Sequence, residues 1–310
     1  MSDLQADLGC ADDAIDIDSA HSALDELFLL ARHYRNSAKF LDLIRFVARF
    51  RRYSAFNAML VHVQMPGARY VLPAKRWLKE FRRLPKRYAQ PLVMLQPMSP
   101  IMFGFDVSQT EGDPLPASFE DPFRFDGQLE QGAFNMTIEN ALRDGVDVQT
   151  RVLGNTLGGY VRNVANPDHV VGFGFVQRPA RACRVDGREI PVISEIILNA
   201  NFSVETNYAT LTHELGHLYC GHVGTPDSRW WPDRRSLNRN TREFEAESVS
   251  YLVCRKANLD TPAAEYLHGY LETNEQVPSI SLDVVFKAVQ RVEAMRKKKM
   301  PIRSLELGEP

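Results

Sequence analysis

Apolar residues recur along this chain in two different patterns. From Ser22 to Gly67, leucine, phenylalanine, methionine and valine return every three or four positions, which predicts three helices ending at Pro66-Gly67. Beyond them, short apolar runs predict strands separated by a basic connecting segment. The strands predicted in this half are 68–72, 92–95 and 101–107, and the basic segment is 77–84. This mixture predicts an α+β fold whose first part combines helices with short strands.

The second half of the chain predicts a small mixed sheet followed by helices. Residues 190–198 form a β-branched run of strand length, and 199–203 form a turn into a helix predicted over 204–221. A strand beside that helix is where an extended peptide is expected to pair its backbone. The other expected members of the sheet are 146–164 and 169–176, and the later helices are 240–254, 263–273 and 282–297.

Domain boundaries are predicted from local composition. Glycine, proline and acidic residues concentrate at 106–122, which is typical of a linker. The predicted organisation is a flexible acidic tail at 1–21, a basic domain at 22–118, a second domain at 119–300 and a short tail at 301–310.

The net charge of −2 conceals a strong asymmetry. The first thirty residues carry eight acidic side chains and no lysine or arginine, whereas residues 31–90 carry fifteen lysines and arginines against Asp42 and Glu80. Such a basic block in an otherwise acidic chain indicates a region that binds a polyanion.

Membrane and disulfide-rich classes are excluded by composition. No apolar run approaches ~18 residues, and the N-terminus is acidic, so neither a membrane span nor a signal peptide is expected, and the predicted location is cytoplasmic. Cys10, Cys183, Cys220 and Cys254 have no C-x-x-C spacing, which predicts reduced thiols without a structural zinc knuckle.

An H-E-x-x-H motif at 213–217 lies on the helix predicted over 204–221. Side chains four positions apart share one helix face, so His213 and His217 can reach one metal ion with Glu214 beside them. With a third protein ligand, a zinc ion keeps one position for water, whose pKa falls to ~7, and Glu214 can then take its proton. The motif is typical of zinc hydrolases that cut amide bonds.

The third ligand must come from elsewhere. An extended motif with a third histidine would need glycine at 220 and histidine at 223, where the chain has Cys220 and Val223. The helix predicted over 240–254, with Asn240 as its N-cap, places Glu243 and Glu247 on one face and Glu245 on another. The pair suits a ligand plus a carboxylate that orients a ligating histidine. Glu245 or Glu247 as the ligand, and Glu243 as a capping partner of Asn240, remain alternatives.

The run 243–247 resembles the E-x-x-A-D/E helix of glutamate-type zincins, or gluzincins. That resemblance implies a zincin-like metallopeptidase domain, with Glu243 as the third Zn²⁺ ligand and Glu247 as the support of a histidine. ImmA/IrrE-type peptidases, which cleave repressors, share the pattern. In related zincins a downstream histidine or tyrosine stabilises the oxyanion, and His268 is the candidate here.

A second resemblance covers roughly 50–115. Its segments are 53–60, 66–68, 75–77, 91–97 and 105–110. They are similar, in the same order, to the N-terminal domain of ArdC-type antirestriction proteins, in which a single-stranded-DNA-binding domain precedes an H-E-x-x-H domain. Cations interleaved with aromatic rings suit single strands, because rings stack on bases and cations track the backbone. The expected nucleic-acid-binding residues are Arg49, Arg51, Arg52, Tyr53, Lys75, Arg76 and Trp77, with burial in a core as the alternative for each aromatic.

The leading hypothesis is a zinc-dependent metallopeptidase acting on a protein or peptide substrate and brought to DNA by its basic domain. The alternative is a single-stranded-DNA-binding antirestriction protein whose metal site is structural or nearly inactive. Glu214 distinguishes the two, because it is needed for hydrolysis and not for DNA binding.

Overall fold

The computed structural model of the protein describes residues 37–50, 52–96, 99–115, 128–153, 158–164, 181–259, 267, 270, 274 and 276–303. The chain has an α+β fold, as predicted. It divides into two compact units, with chain boundaries between residues 55 and 56 and between 122 and 123. The second boundary lies close to the predicted one at 118–119. The predicted acidic tail at 1–21 and the strand at 169–176 fall outside the described residues.

The helices and strands follow one another as α1 Ser37–Arg49, α2 Ala55–Gln64, β1 Val71–Leu72, α3 Ala74–Phe81, β2 Arg83–Pro85, β3 Leu92–Gln96, β4 Ser99–Asp106, β5 Thr110–Gly112, α4 Ala133–Leu142, β6 Val146–Arg151, β7 Gly159–Asn163, β8 Ala182–Val185, β9 Arg188–Pro191, β10 Ser194–Asn199, α5 Val204–Tyr219, α6 Arg239–Lys256 and α7 Leu282–Lys297. None of these helices is both long enough and apolar enough to cross a membrane. The three described cysteines, Cys183, Cys220 and Cys254, are free thiols.

The first unit is built on a three-stranded sheet in the order β1-β4-β3, with β2 and β5 paired separately. Its core gathers Tyr70, Leu72 and Trp77, and Phe81 and Phe105 pack against them. The buried carboxylate of Asp106 accepts hydrogen bonds from three main-chain N–H groups, those of residues 69, 70 and 108. This carboxylate therefore fixes the end of β4 against the segment that leads into β1.

Helix α1 belongs to the second unit, whereas the sequence analysis placed it in the basic domain at 22–118. Phe40 and Phe244 are both fully buried, and their ring centroids lie 5.4 Å apart where α1 packs on α6. Burial of two phenylalanine rings contributes several kcal/mol, on the order of 1.5–3 kcal/mol each. Helix α1 is thus placed in the second unit by its apolar packing, which the charges along the sequence did not indicate.

A three-stranded mixed sheet lies at the centre of the second unit, in the order β6-β10-β7. Strand β10 is parallel to β6 and antiparallel to β7, with Ile196 opposite Val148 on one side and Val161 on the other. All six residues of β10 are buried, and its apolar part is the run Ile196, Ile197 and Leu198. Because β10 is paired on both edges, it is not the strand on which a peptide substrate can add.

Two capped helices carry the motif residues. Ser203 caps α5 by accepting from the Thr206 N–H, and Asn238 caps α6 by accepting from the Thr241 N–H. The prediction that Asn240 is the N-cap is wrong by two residues, because the helix has already begun at Arg239. Glu243 consequently lies too far along the helix to form a capping box with the asparagine, and that alternative is removed.

The two motif helices approach each other closely at Gly216. A Cβ atom at this position would lie only 3.1 Å from Cα of Ala246. A second glycine, Gly221, follows the end of α5 with φ of +80°, a conformation that favours glycine. The glycine between the two motif histidines therefore permits the helix contact, and the glycine after them turns the chain away.

Candidate metal centre

Three side chains from α5 and α6 converge on one point. Nε2 of His213 and Nε2 of His217 lie 3.1 Å apart. Oε2 of Glu243 lies 3.7 Å from the first nitrogen and 3.5 Å from the second. The three atoms thus form a nearly equilateral triangle, built from one turn of α5 and the facing turn of α6.

The size of this triangle suits a zinc ion. At ligand distances of ~2.0–2.1 Å, neighbouring donors of a tetrahedral zinc ion lie ~3.3–3.4 Å apart, close to the three separations given above. Two imidazole nitrogens and one carboxylate oxygen are zinc donors, and three of them leave one coordination position for another group. The three side chains are partly exposed, at 20% for His213, 14% for His217 and 35% for Glu243, so that position is reachable from solvent.

Glu245 points away from this triangle. Its side chain is fully buried and accepts from Arg234 through both oxygens, at 2.6 and 2.7 Å. It also accepts from Nε2 of His222 at 2.9 Å and from the Ser281 N–H at 2.8 Å. The alternative that Glu245 is the third ligand is therefore not supported by the geometry, whereas Glu243 has the required position.

Glu247 supports the ring of His213. Its Oε1 lies 3.4 Å from Nδ1 of His213, the nitrogen that faces away from the triangle. A carboxylate in this place favours a proton on Nδ1 and leaves Nε2 free to bind a metal. Glu243 and Glu247 are thus separated by one helical turn and placed on the two nitrogens of the same ring, as their spacing predicts.

The pKa values of the two histidines in the triangle shift in opposite directions. Burial alone would lower the pKa of His213, but the hydrogen bond to Glu247 and the charges of Glu214 and Glu243 raise it overall. Burial lowers the pKa of His217. The neighbouring ring of His217 lowers the pKa of Glu243, which keeps that carboxylate ionised and able to bind a cation.

Glu214 lies in a different environment from the ligand set. Only 7% of this residue is exposed, and burial raises the pKa of its carboxyl group. The main-chain N–H of Val161, in the middle of β7, donates to this carboxylate. The general base expected from the motif is thus held against the edge strand β7.

His222 is a site residue that the sequence analysis missed. It lies immediately after Gly221, and its Nδ1 is 2.9 Å from Nδ1 of His217. Its other nitrogen is bonded to Glu245. The sequence does show a third histidine five positions after His217. Because the helix ends between the two, helical spacing could not predict that their side chains meet.

The predicted nucleic-acid residues do not form one set. Arg49, Arg52 and Tyr53 lie in the second unit, whereas Lys75 and Arg76 lie in the first. Trp77 is fully buried, and its Nε1 donates to the main-chain oxygen of Phe105 at 2.8 Å. Its rings are therefore part of the core, and Trp77 is corrected out of the predicted set. The last of these candidates, Arg51, lies outside the described residues, as does His268, the candidate for stabilising the oxyanion.

Comparison of the chain with models of protein families, with curated proteins and with solved structures gave no match.

Proposed function

We propose that the second unit is a zinc-dependent metallopeptidase with a zincin-like fold of the glutamate-ligand type. One observation carries the proposal, which is the convergence of His213, His217 and Glu243 on a triangle of zinc-ligand size. Glu214 adjoins this triangle as a general base. The pattern of an H-E-x-x-H helix followed by a glutamate helix is also the one that ImmA/IrrE-type peptidases share.

A zinc ion held by these three side chains would polarise a substrate carbonyl and lower the pKa of water bound beside it. The carboxylate of Glu214 then takes a proton from that water and passes it to the amine that leaves. The raised pKa of Glu214 suits a group that both accepts and returns a proton. Glu247 holds the His213 ring with Nε2 directed at the ligand triangle.

The substrate is proposed to bind as an extended peptide along β7. Within the described residues β7 pairs only with β10, and the N–H of its central residue, Val161, is directed at Glu214. The opposite edge of β7 therefore faces the base. An added strand would place a peptide carbonyl next to both the ligand triangle and Glu214, which predicts a preference for unstructured segments over folded proteins.

Chelation tests this function directly. Protein purified without added metal should contain near one zinc ion per chain, and it should cut a mixture of unstructured peptides at sites that mass spectrometry identifies. A strong chelator should abolish the cleavage, and stoichiometric zinc should restore it, because hydrolysis depends on the ion in the His213, His217 and Glu243 set. Cleavage that continues after complete zinc removal would contradict the proposal.

A second function, the binding of single-stranded nucleic acid, is proposed for the first unit. Within positions 69–88 Glu80 is the one acidic residue, and β5, which pairs with β2, adds the exposed Glu111. Exposed cations concentrate on α3 and the segments next to it in sequence. They are Arg69, Lys75, Arg76, Lys79, Arg82, Lys86 and Arg87. Tyr88 is 85% exposed beside them, with the Arg87 guanidinium 5.6 Å from its ring centre. An exposed ring within a cationic surface suits the stacking of a base.

Tyr88→Ala should weaken the binding of an unstructured oligonucleotide by ~5- to 150-fold, because stacking of one base on an aromatic ring contributes ~1–3 kcal/mol. Tyr88→Phe keeps the ring and should bind like the parent protein. Fluorescence anisotropy over a range of salt concentrations measures both variants, and affinity should fall steeply with salt in each case. Equal affinity of the alanine and phenylalanine variants would contradict the stacking role.

A further inference from the structure

The residue His222 belongs to a hydrogen-bonded chain that ends at the metal triangle. Nε2 of His217 forms one corner of the triangle, and Nδ1 of the same ring lies 2.9 Å from Nδ1 of His222. Nε2 of His222 lies 2.9 Å from Oε2 of Glu245. The chain therefore runs from a buried carboxylate through two imidazole rings to a ligand atom.

The buried end of this chain is fixed by the surroundings of Glu245. Each carboxylate oxygen has two neighbouring donors. Oε1 accepts from Arg234 and Ser281, and Oε2 accepts from Arg234 and His222. The guanidinium and the main-chain N–H can only donate, so the ionised carboxylate must accept all four bonds. His222 is therefore required to donate from Nε2.

This requirement sets the proton positions of both histidines. A neutral imidazole donates from one nitrogen and accepts at the other, so His222 with a proton on Nε2 accepts at Nδ1. The nitrogen that faces it, Nδ1 of His217, must then carry the proton of that ring. Nε2 of His217 is left with a free lone pair, which is the form that binds a metal.

The loop that carries His222 is anchored at the same place. The N–H of Arg234 donates to the main-chain oxygen of Gly221 at 2.9 Å, and its side chain reaches the oxygen of Cys220 at 3.3 Å. A Cβ atom on Gly221 would lie 1.9 Å from the oxygen of Pro232. His222 is itself only 3% exposed, so its ring has little freedom to turn away from His217.

We infer that His222 is a positioning residue of the metal centre, which holds His217 in its metal-binding tautomer by relaying the hydrogen-bonding requirement of Glu245. The inference rests on the proposed zinc site. In this arrangement the two histidine ligands are supported differently, His213 directly by Glu247 and His217 through a second imidazole. Both supports lie at the Nδ1 atoms, which face away from the triangle.

Two substitutions separate this role from simple packing. His222→Leu fills the space and removes the acceptor for Nδ1 of His217, so zinc affinity measured against a competing chelator should fall ~10–100-fold, as is typical when the partner of a ligating histidine is lost. His222→Asn places an amide oxygen where Nδ1 stood and should recover most of that loss. Thermal unfolding of both variants without metal provides the control for packing.

The tautomer of His217 can also be observed without metal or activity. Nitrogen-15 spectra of the metal-free wild-type protein should show the His217 proton on Nδ1, and His222→Leu should release that preference. A proton on Nε2 of His217 in the wild-type protein would overturn the inference, as would a leucine variant with unchanged zinc affinity. If the wild-type protein had no affinity for zinc, the proposed function would fail, and the tautomer measurement would still decide the role of His222.

Discussion

Replacing Glu243 by alanine should remove zinc from the protein, with a larger loss of affinity than the ~10–100-fold that follows when a supporting residue is changed. The reason is that its Oε2 is the third corner of the ligand triangle, 3.5 Å and 3.7 Å from the two histidine nitrogens. Two imidazoles alone leave a zinc ion with half of its coordination positions without protein ligands. Elemental analysis after extensive dialysis, together with chelator competition, measures the loss.

A matched control for this change is Glu205→Ala, which removes an exposed glutamate from the first turn of α5 and should leave the zinc content unchanged. Glu247→Ala should give an intermediate loss, because this residue holds the His213 ring without lying at a corner of the triangle. If Glu243→Ala kept its zinc and Glu247→Ala lost it, the assignment of the two carboxylates would have to be exchanged.

Replacing Glu214 by glutamine should reduce peptide cleavage by ~10²–10⁴-fold, the usual contribution of a general base, while zinc content stays near that of the wild-type protein. Glutamine has nearly the shape of glutamate and can still accept from the Val161 N–H, so the local structure should be retained. The amide cannot take a proton from water. Initial rates on a peptide identified in the cleavage screen, normalised to bound zinc, measure the effect.

The same variant distinguishes the two proposed functions. Glu214→Gln should bind single-stranded oligonucleotides like the wild-type protein, because the exposed cations and Tyr88 lie in the first unit and Glu214 lies in the second. Cleavage at the wild-type rate by a variant with full zinc content would refute the role of the base. It would favour the reading in which the metal centre is structural.

The sequence predicted those parts of the site that depend on one helix at a time. The four-residue spacing of His213 and His217, and of Glu243 and Glu247, is a property of helical geometry and needs no knowledge of the rest of the fold. The distance between the two helices was not predictable from spacing. It depends on contact at Gly216, whose small size could be noted in the sequence but whose neighbour, Ala246, could not.

Non-local pairing accounts for the other differences. The run at 190–198 was predicted as one strand, but it divides between β9 and β10, and the place of β10 between β6 and β7 depends on residues that are distant in sequence. Trp77 was expected on a basic surface because its neighbours in sequence are charged, whereas helix α3 turns it inward towards Tyr70. His222 was missed because its role depends on Arg234 and Glu245, which a loop and a second helix bring to it.

The contact between Gly216 and Ala246 determines whether the fold or a bound ion sets the distances between the donor atoms. It lies on α5 between the two histidines and on α6 between the two glutamates, so the backbones meet at the level of the ligands themselves. Sliding or separating the helices there would break apolar packing, and the spacing of the donors is consequently a property of the folded polypeptide. A zinc ion would then bind to donors that the fold already holds at the required distances. The site would discriminate between ions by their size and donor preference, and binding would cost the backbone no further conformational entropy.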